Sequence, residues 1–130
     1  MTADATTVGN ELDLFQQVRE NDDFRRVLIT GPHLQIVAMT IPPGGEIGAE
    51  THPDTDQVLL FLEGEAESIL DGERTTVGPG QLVFVEAGTH HNFVNTGTAP
   101  LRLATAYAPP EHEHGTVHAT KAESDAEHDH

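Results

Sequence analysis

From Phe24 to Tyr107 the chain alternates between apolar and polar residues in short runs, interrupted every few positions by glycine or proline. A period of two sends successive side chains to opposite faces of an extended strand, so these runs predict strands rather than helices. Phe24 to Thr30 forms one, stopped by Gly31-Pro32, and His33 to Ile41 another, stopped by Pro42-Pro43-Gly44-Gly45. Further strands are predicted at Ile47–His52, Gln57–Leu62, Ala66–Leu70, Gln81–Val85, Asn92–Asn95 and Leu101–Tyr107. Asp71-Gly72 is a two-residue hairpin signal. Many short strands at close spacing predict an all-β antiparallel sandwich or barrel.

The ends read differently. Residues 1–23 form an N-terminal arm in which Leu12, Leu14, Phe15 and Val18 predict a short helix, ended by Asn21-Asp22-Asp23. Residues 24–108 form the barrel. Residues 109–130 are an acidic, histidine-rich tail, expected to be mobile beyond about Lys121 because its composition is almost wholly polar. Leu59, Phe61, Leu82, Phe84 and Phe93 are the expected core and pocket lining.

Charge narrows the partners. Twenty-two acidic residues against six basic ones give a net charge of −16, which repels phosphate backbones and anionic lipids, so neither nucleic acid nor membrane is expected as a partner. Acidic residues recur along the whole chain, and self-repulsion of this size is relieved in molar salt, where the screening length falls to ~3 Å; a salt-loving source is therefore expected. No apolar run approaches the ~18 residues of a membrane span, and the first residues have neither the basic nor the apolar region of a signal peptide, so the cytoplasm is the expected location. With no cysteine, thiolate metal sites and thiol catalysis are excluded.

Two stretches carry candidate chemistry. In the first, Gly44 to Gly64, Glu50 and His52 are two apart and project from one face of a strand; Pro53 to Asp56 turns the chain, and Gln57 begins the next strand. The second, Gly80 to Asn95, supplies His91, while its neighbour His90 should point to the opposite face. Imidazoles with a carboxylate and an amide oxygen suit zinc, iron, manganese or nickel and discriminate poorly among them. Asp54 and Asp56 favour a turn; Asp56 is also a reserve ligand and a candidate general base. Asn95 is expected to tie down a turn. Among the tail histidines, His112 and His118 lie near enough to reach a barrel mouth, the role of His114 stays open, and His128 and His130 read as solvated.

These two stretches resemble the paired motifs of the cupin superfamily. The first motif runs glycine, five residues, histidine, any, histidine, three or four residues, glutamate, six residues, glycine; Gly44, Glu50, His52, Gln57 and Gly64 stand at those positions. Gly80, Gly88, His91 and Asn95 match the second, with Glu86 where the family has proline. The resemblance implies a single-domain double-stranded β-helix, or jelly-roll barrel, binding one divalent metal ion. Carried over residue by residue, the implied ligands are Glu50, His52, Gln57 and His91, in place of the family's usual three histidines and one glutamate. Phosphomannose isomerases, also cupins, similarly use one glutamine, one glutamate and two histidines. Small stand-alone cupins of the mannose-6-phosphate isomerase-like type share stretches similar to His52 to Gln57 and Tyr107 to His112. The resemblance therefore implies a metal-dependent enzyme of oxygenase or isomerase type acting on a small polar molecule or sugar. A non-catalytic binding or sensing module, or a barrel with a vestigial site, stays open. A homodimer is expected, because cupins commonly pair edge to edge and exposed sheet edges favour it.

Overall fold

The computed structural model describes residues 7–8 and 11–128, with side chains from residue 11 to residue 127. A short β1 (Thr7–Val8) pairs with β2 (Glu11–Leu12), followed by helix α1 (Leu14–Glu20). Asp13 caps the helix by accepting the Gln16 N–H at 3.1 Å, satisfying one of the free donors of its first turn. The barrel strands are β3 (Arg25–Thr30), β4 (Gln35–Ile41), β5 (Glu50–Thr51), β6 (Asp56–Glu63), β7 (Ala66–Leu70), β8 (Glu73–Val77), β9 (Leu82–Val85), β10 (His90–Asn95) and β11 (Leu101–Ala108). Two elements close the chain, β12 (Val117–His118) and α2 (Lys121–His128). No helix among the described residues is long and apolar enough to cross a membrane.

All pairings are antiparallel and build two main sheets, one of four strands ordered β5-β10-β7-β8 and one of six ordered β12-β3-β4-β11-β6-β9. Apart from the hairpins β3–β4 and β7–β8, consecutive barrel strands switch between the sheets, as β5 to β6 and β9 to β10 do, so the sheets face each other as a double-stranded β-helix. The alternation seen in the sequence has its physical cause here. Along β6, Gln57, Leu59 and Phe61 are buried while Asp56 and Leu60 are exposed. Leu59, Phe61 and Phe93 join Val37, Met39, Leu103 and Tyr107 in the cluster between the sheets. A smaller cluster of Val18, Leu28, Ala38 and Ala104 buries the inner side of α1 against the back of the six-stranded sheet.

Parity corrects one expectation. Leu82 and Phe84 are 55 % and 52 % exposed, because Val83 and Val85 take the inward positions of β9. With Leu60, which pairs with Leu82, they form an apolar face at the outer edge of the sheet. Strand β8 was not predicted: Glu73 to Thr76 are all exposed and only Val77 is buried, so this edge strand leaves no alternating pattern. The Asp71-Gly72 turn has φ of +49° and +85°, the geometry that a two-residue hairpin demands.

The segment read as a tail is tied to the barrel along much of its length. Beyond the cis Ala108–Pro109 bond, the Gln35 amide accepts the Glu111 and His112 N–H groups at 3.2 and 3.0 Å and donates to the His112 carbonyl at 2.7 Å. β12 then adds to the edge of β3. Lys121–His128, expected to be mobile, is helical; Thr120 accepts the Glu123 N–H while Glu123 accepts that of Ala119, a reciprocal capping arrangement that polar composition alone does not reveal.

Candidate metal centre

Glu50 and His91 are direct partners in the β5–β10 register, so their side chains leave the four-stranded sheet on the same face. His52 follows β5 by one residue, and its carbonyl accepts the Gly88 N–H at 2.8 Å, which holds the two motif segments together. Glu50, His52 and His91 each bring a ligand atom within 4.8 Å of the others. One ion with bonds of ~2.0–2.2 Å draws such a group together by small side-chain rotations.

The hydrogen bonds decide which nitrogens face inward. His91 Nδ1 lies 2.9 Å from the Thr89 carbonyl, which can only accept, so Nδ1 carries the proton and Nε2 presents its lone pair to the site. His52 has no such hydrogen bond, but its Nδ1 is 3.5 Å from the Glu111 Oε2 carboxylate oxygen, while Nε2 is 3.8 Å from Glu50 Oε2 and has no hydrogen-bond partner among the described residues. Thr55 Oγ1 donates to the other Glu111 oxygen at 2.9 Å. A buried nitrogen lone pair beside a carboxylate is costly without a partner; a cation supplies one. The donor set therefore fits a divalent metal.

Burial lowers the His91 pKa below its ordinary value; the Thr89 hydrogen bond opposes this, the neighbouring His52 adds to it, and the Glu50 charge opposes it. The imidazole is thus kept in the neutral form that ligation requires. Tyr107 has its ring centroid 5.9 Å from that of His52, edge on. Burial, aided by the charges of Glu50 and Glu111 and opposed by Arg25, pushes its phenol up to about 12, so it stays protonated near the site.

The remaining predicted residues divide by face. Gln57 points inward opposite Tyr107 in the β6–β11 register, donates from Nε2 to Thr105 Oγ1 at 2.9 Å, and keeps a buried Oε1 with no hydrogen-bond partner among the described residues. Asp56, expected as reserve ligand and general base, is on the outer face, where it accepts the Ala87 N–H at 2.9 Å; one step along a strand from Gln57 necessarily reverses direction. His90 is exposed and contacts Thr51 Oγ1. Asn95 ties down a turn, bonding the Ile41 and Ala99 carbonyls and the Gly97 N–H. His112 packs edge on against Tyr107 at 5.3 Å, His118 is buried beside Arg25, and exposed His114 meets Thr30 Oγ1. The side chains of His128 and His130 lie outside the described residues. Glu111 and Arg25 were not anticipated. Only Arg25 left a signal, as a charged residue at an inward position of a strand.

Two facing antiparallel sheets with a histidine–carboxylate cluster between them define a β-barrel with a candidate metal site. Residues 37–107 match the cupin domain, and the chain belongs to the cupin family. It is 38 % identical over 125 residues to the uncharacterized Bacillus subtilis protein YrkC, covering 91 % of this chain and 67 % of that protein. The crystal structure of BH2720 from Bacillus halodurans superimposes with a TM-score of 0.90 at 39 % identity, covering 95 % of this chain and 98 % of the other. A shorter match, 34 % identical over 64 residues, joins 49 % of this chain to 19 % of the quercetin 2,3-dioxygenase of Bacillus subtilis.

Proposed function

We propose that the protein is a metal-dependent enzyme acting on a small polar molecule, with one divalent ion held by Glu50, His52 and His91 and with Gln57 as a fourth ligand or as the group that orients a metal-bound water. The observation that carries this reading is the convergence of three ligand atoms within 4.8 Å, with the His52 Nε2 buried and lacking a hydrogen-bond partner among the described residues. Two imidazoles and one carboxylate suit iron or manganese as well as zinc or nickel. Such an ion supplies a Lewis acid with open positions for a substrate oxygen.

The protein's own groups do the rest. The Glu111 carboxylate and the Thr89 carbonyl orient the two imidazoles, as groups behind metal ligands generally do. The Tyr107 phenol holds a proton on the inner face, and Glu111 and His112 pack against His52 and Tyr107. The local likeness to a dioxygenase favours an oxygenase over the isomerase type. Oxygen uptake by iron- or manganese-loaded protein with small polar substrates is the test; tight retention of a ligand with no turnover would instead establish a binding or sensing module.

The partner and setting form part of the same reading. The apolar edge of Leu60, Leu82 and Phe84 supports a homodimer, which sedimentation would register as a mass twice 14.0 kDa. The charge of −16 supports a cytoplasm rich in salt.

A further inference from the structure

Arg25 points into the barrel. It shares the inner face of β3 with Val27 and is 2 % exposed, a position that strand alternation reserves for apolar side chains. Its direct partners are a hydroxyl and an imidazole. It donates to Ser124 Oγ on α2 and approaches His118 Nδ1 at 3.4 Å; His118 in turn meets Glu127 Oε2 through Nε2 at 2.8 Å. Its Nε is buried with no hydrogen-bond partner among the described residues. No described carboxylate forms an ion pair with it, in a chain with 22 acids and six basic residues. A buried guanidinium with no carboxylate in direct contact is expensive, and its donor fork matches a carboxylate.

The same guanidinium lines a cavity of about 470 Å³ that also touches Glu50, Lys121, Ser124 and Asp125. That volume suits a small ligand, and Glu50 places the cavity beside the metal cluster. Lys121, the chain's one lysine, is held on Asp125 at 2.7 Å, so this pair is internally neutral. Glu46 and Glu50 also border the space and oppose a dianion, so an anion held here must carry a single charge and take it directly to Arg25.

We infer that this cavity binds a small carboxylic acid, its carboxylate on Arg25 and its other polar end toward Glu50, His52 and His91. The inference names the substrate class of the proposed centre and rests on that reading only for what the ligand's far end meets.

The test uses the full chain, metal-free and zinc-loaded, titrated with glycolate, with its neutral amide glycolamide, and with inorganic phosphate, while NMR follows the Arg25 Nε–H signal. Glycolate should bind saturably and shift that signal in both forms, at least tenfold more tightly than glycolamide or phosphate. Arg25→Gln should lose that margin, Arg25→Lys should keep part of it, and Asp56→Ala, on the outer face, should keep it all. Equal binding of glycolate and glycolamide would overturn the inference, as would tighter binding of phosphate or an unmoved Arg25 signal. Equal losses in Asp56→Ala and Arg25→Gln would also overturn it. Should the protein take up no zinc, the metal reading fails while the metal-free titration still decides the carboxylate site.

Discussion

Glu50 and His91 sit directly opposite each other in the antiparallel pair β5–β10, although 40 residues of chain separate them in the sequence. The fold thereby turns two unrelated motif segments into one cluster, and His52 enters it from the strand end next to Glu50. Outside the cluster, a hydrogen bond to the Thr89 carbonyl turns His91 Nε2 inward, and Glu111 stands 3.5 Å from His52 Nδ1 on the far side of that ring.

Glu111 is the most informative of these outer partners. Removing it as Glu111→Ala should weaken metal binding about 10- to 100-fold, the usual effect of losing a group that orients a ligand. Glu111→Gln, whose amide oxygen still accepts from Nδ1, should recover part of the loss. Competitive chelator titration measures both. Equal affinity in wild type and Glu111→Ala would show that the 3.5 Å contact to His52 does not orient it.

Tyr107 is the chain's only tyrosine, so tyrosinate absorbance reports on it alone. Its folded pKa is raised from 10.0 to about 12, which means that the fold prefers the neutral phenol. The stabilisation is complete below pH 10 and is lost as pH climbs from there toward 12, because the unfolded chain ionises first. The native protein should therefore titrate near 12 and the urea-unfolded protein near 10; coincident curves would mean that Tyr107 is not buried.

Gly64 explains the closing glycine of the first motif. Its φ is +93°, and an added Cβ would fall 2.8 Å from the Pro100 carbonyl oxygen and 2.9 Å from Leu101 Cα. Backbone cannot yield as a flexible side chain does, so Gly64→Ala should destabilise the barrel by more than about 1 kcal/mol. Urea unfolding should show this as a lower midpoint. Gly72 also has positive φ but meets nothing within 4 Å, so Gly72→Ala should cost less.

With a charge of −16, thermal stability should rise steadily from low-salt buffer to molar potassium chloride as self-repulsion is screened. A melting temperature that stays flat or falls over that range would count against a salt-rich setting.

The barrel was legible because glycine and proline mark its turns and because Gln57, Leu59 and Phe61 alternate cleanly with exposed neighbours. Glu50, His52 and His91 were legible through their spacing. Asp56, Leu82 and Phe84 show where residue type misleads: an acid beside a ligand and large apolar side chains in a strand look functional or buried, yet parity sends them outward. Edge strand β8 buries only Val77, so it left no alternating pattern. Glu111 was beyond reach, because its position depends on a proline turn and on the amide of Gln35, 76 residues away.

Metal stoichiometry of the purified protein, determined by elemental analysis after growth in metal-replete medium, bears most directly on the proposed centre. Wild type and Asp56→Ala should each hold about one divalent ion per chain, while His52→Ala and His91→Ala should each lose most of it and keep the circular dichroism of the folded barrel. Full occupancy in both histidine variants would contradict the site, and wild-type protein that takes up no ion would remove the function proposed for it.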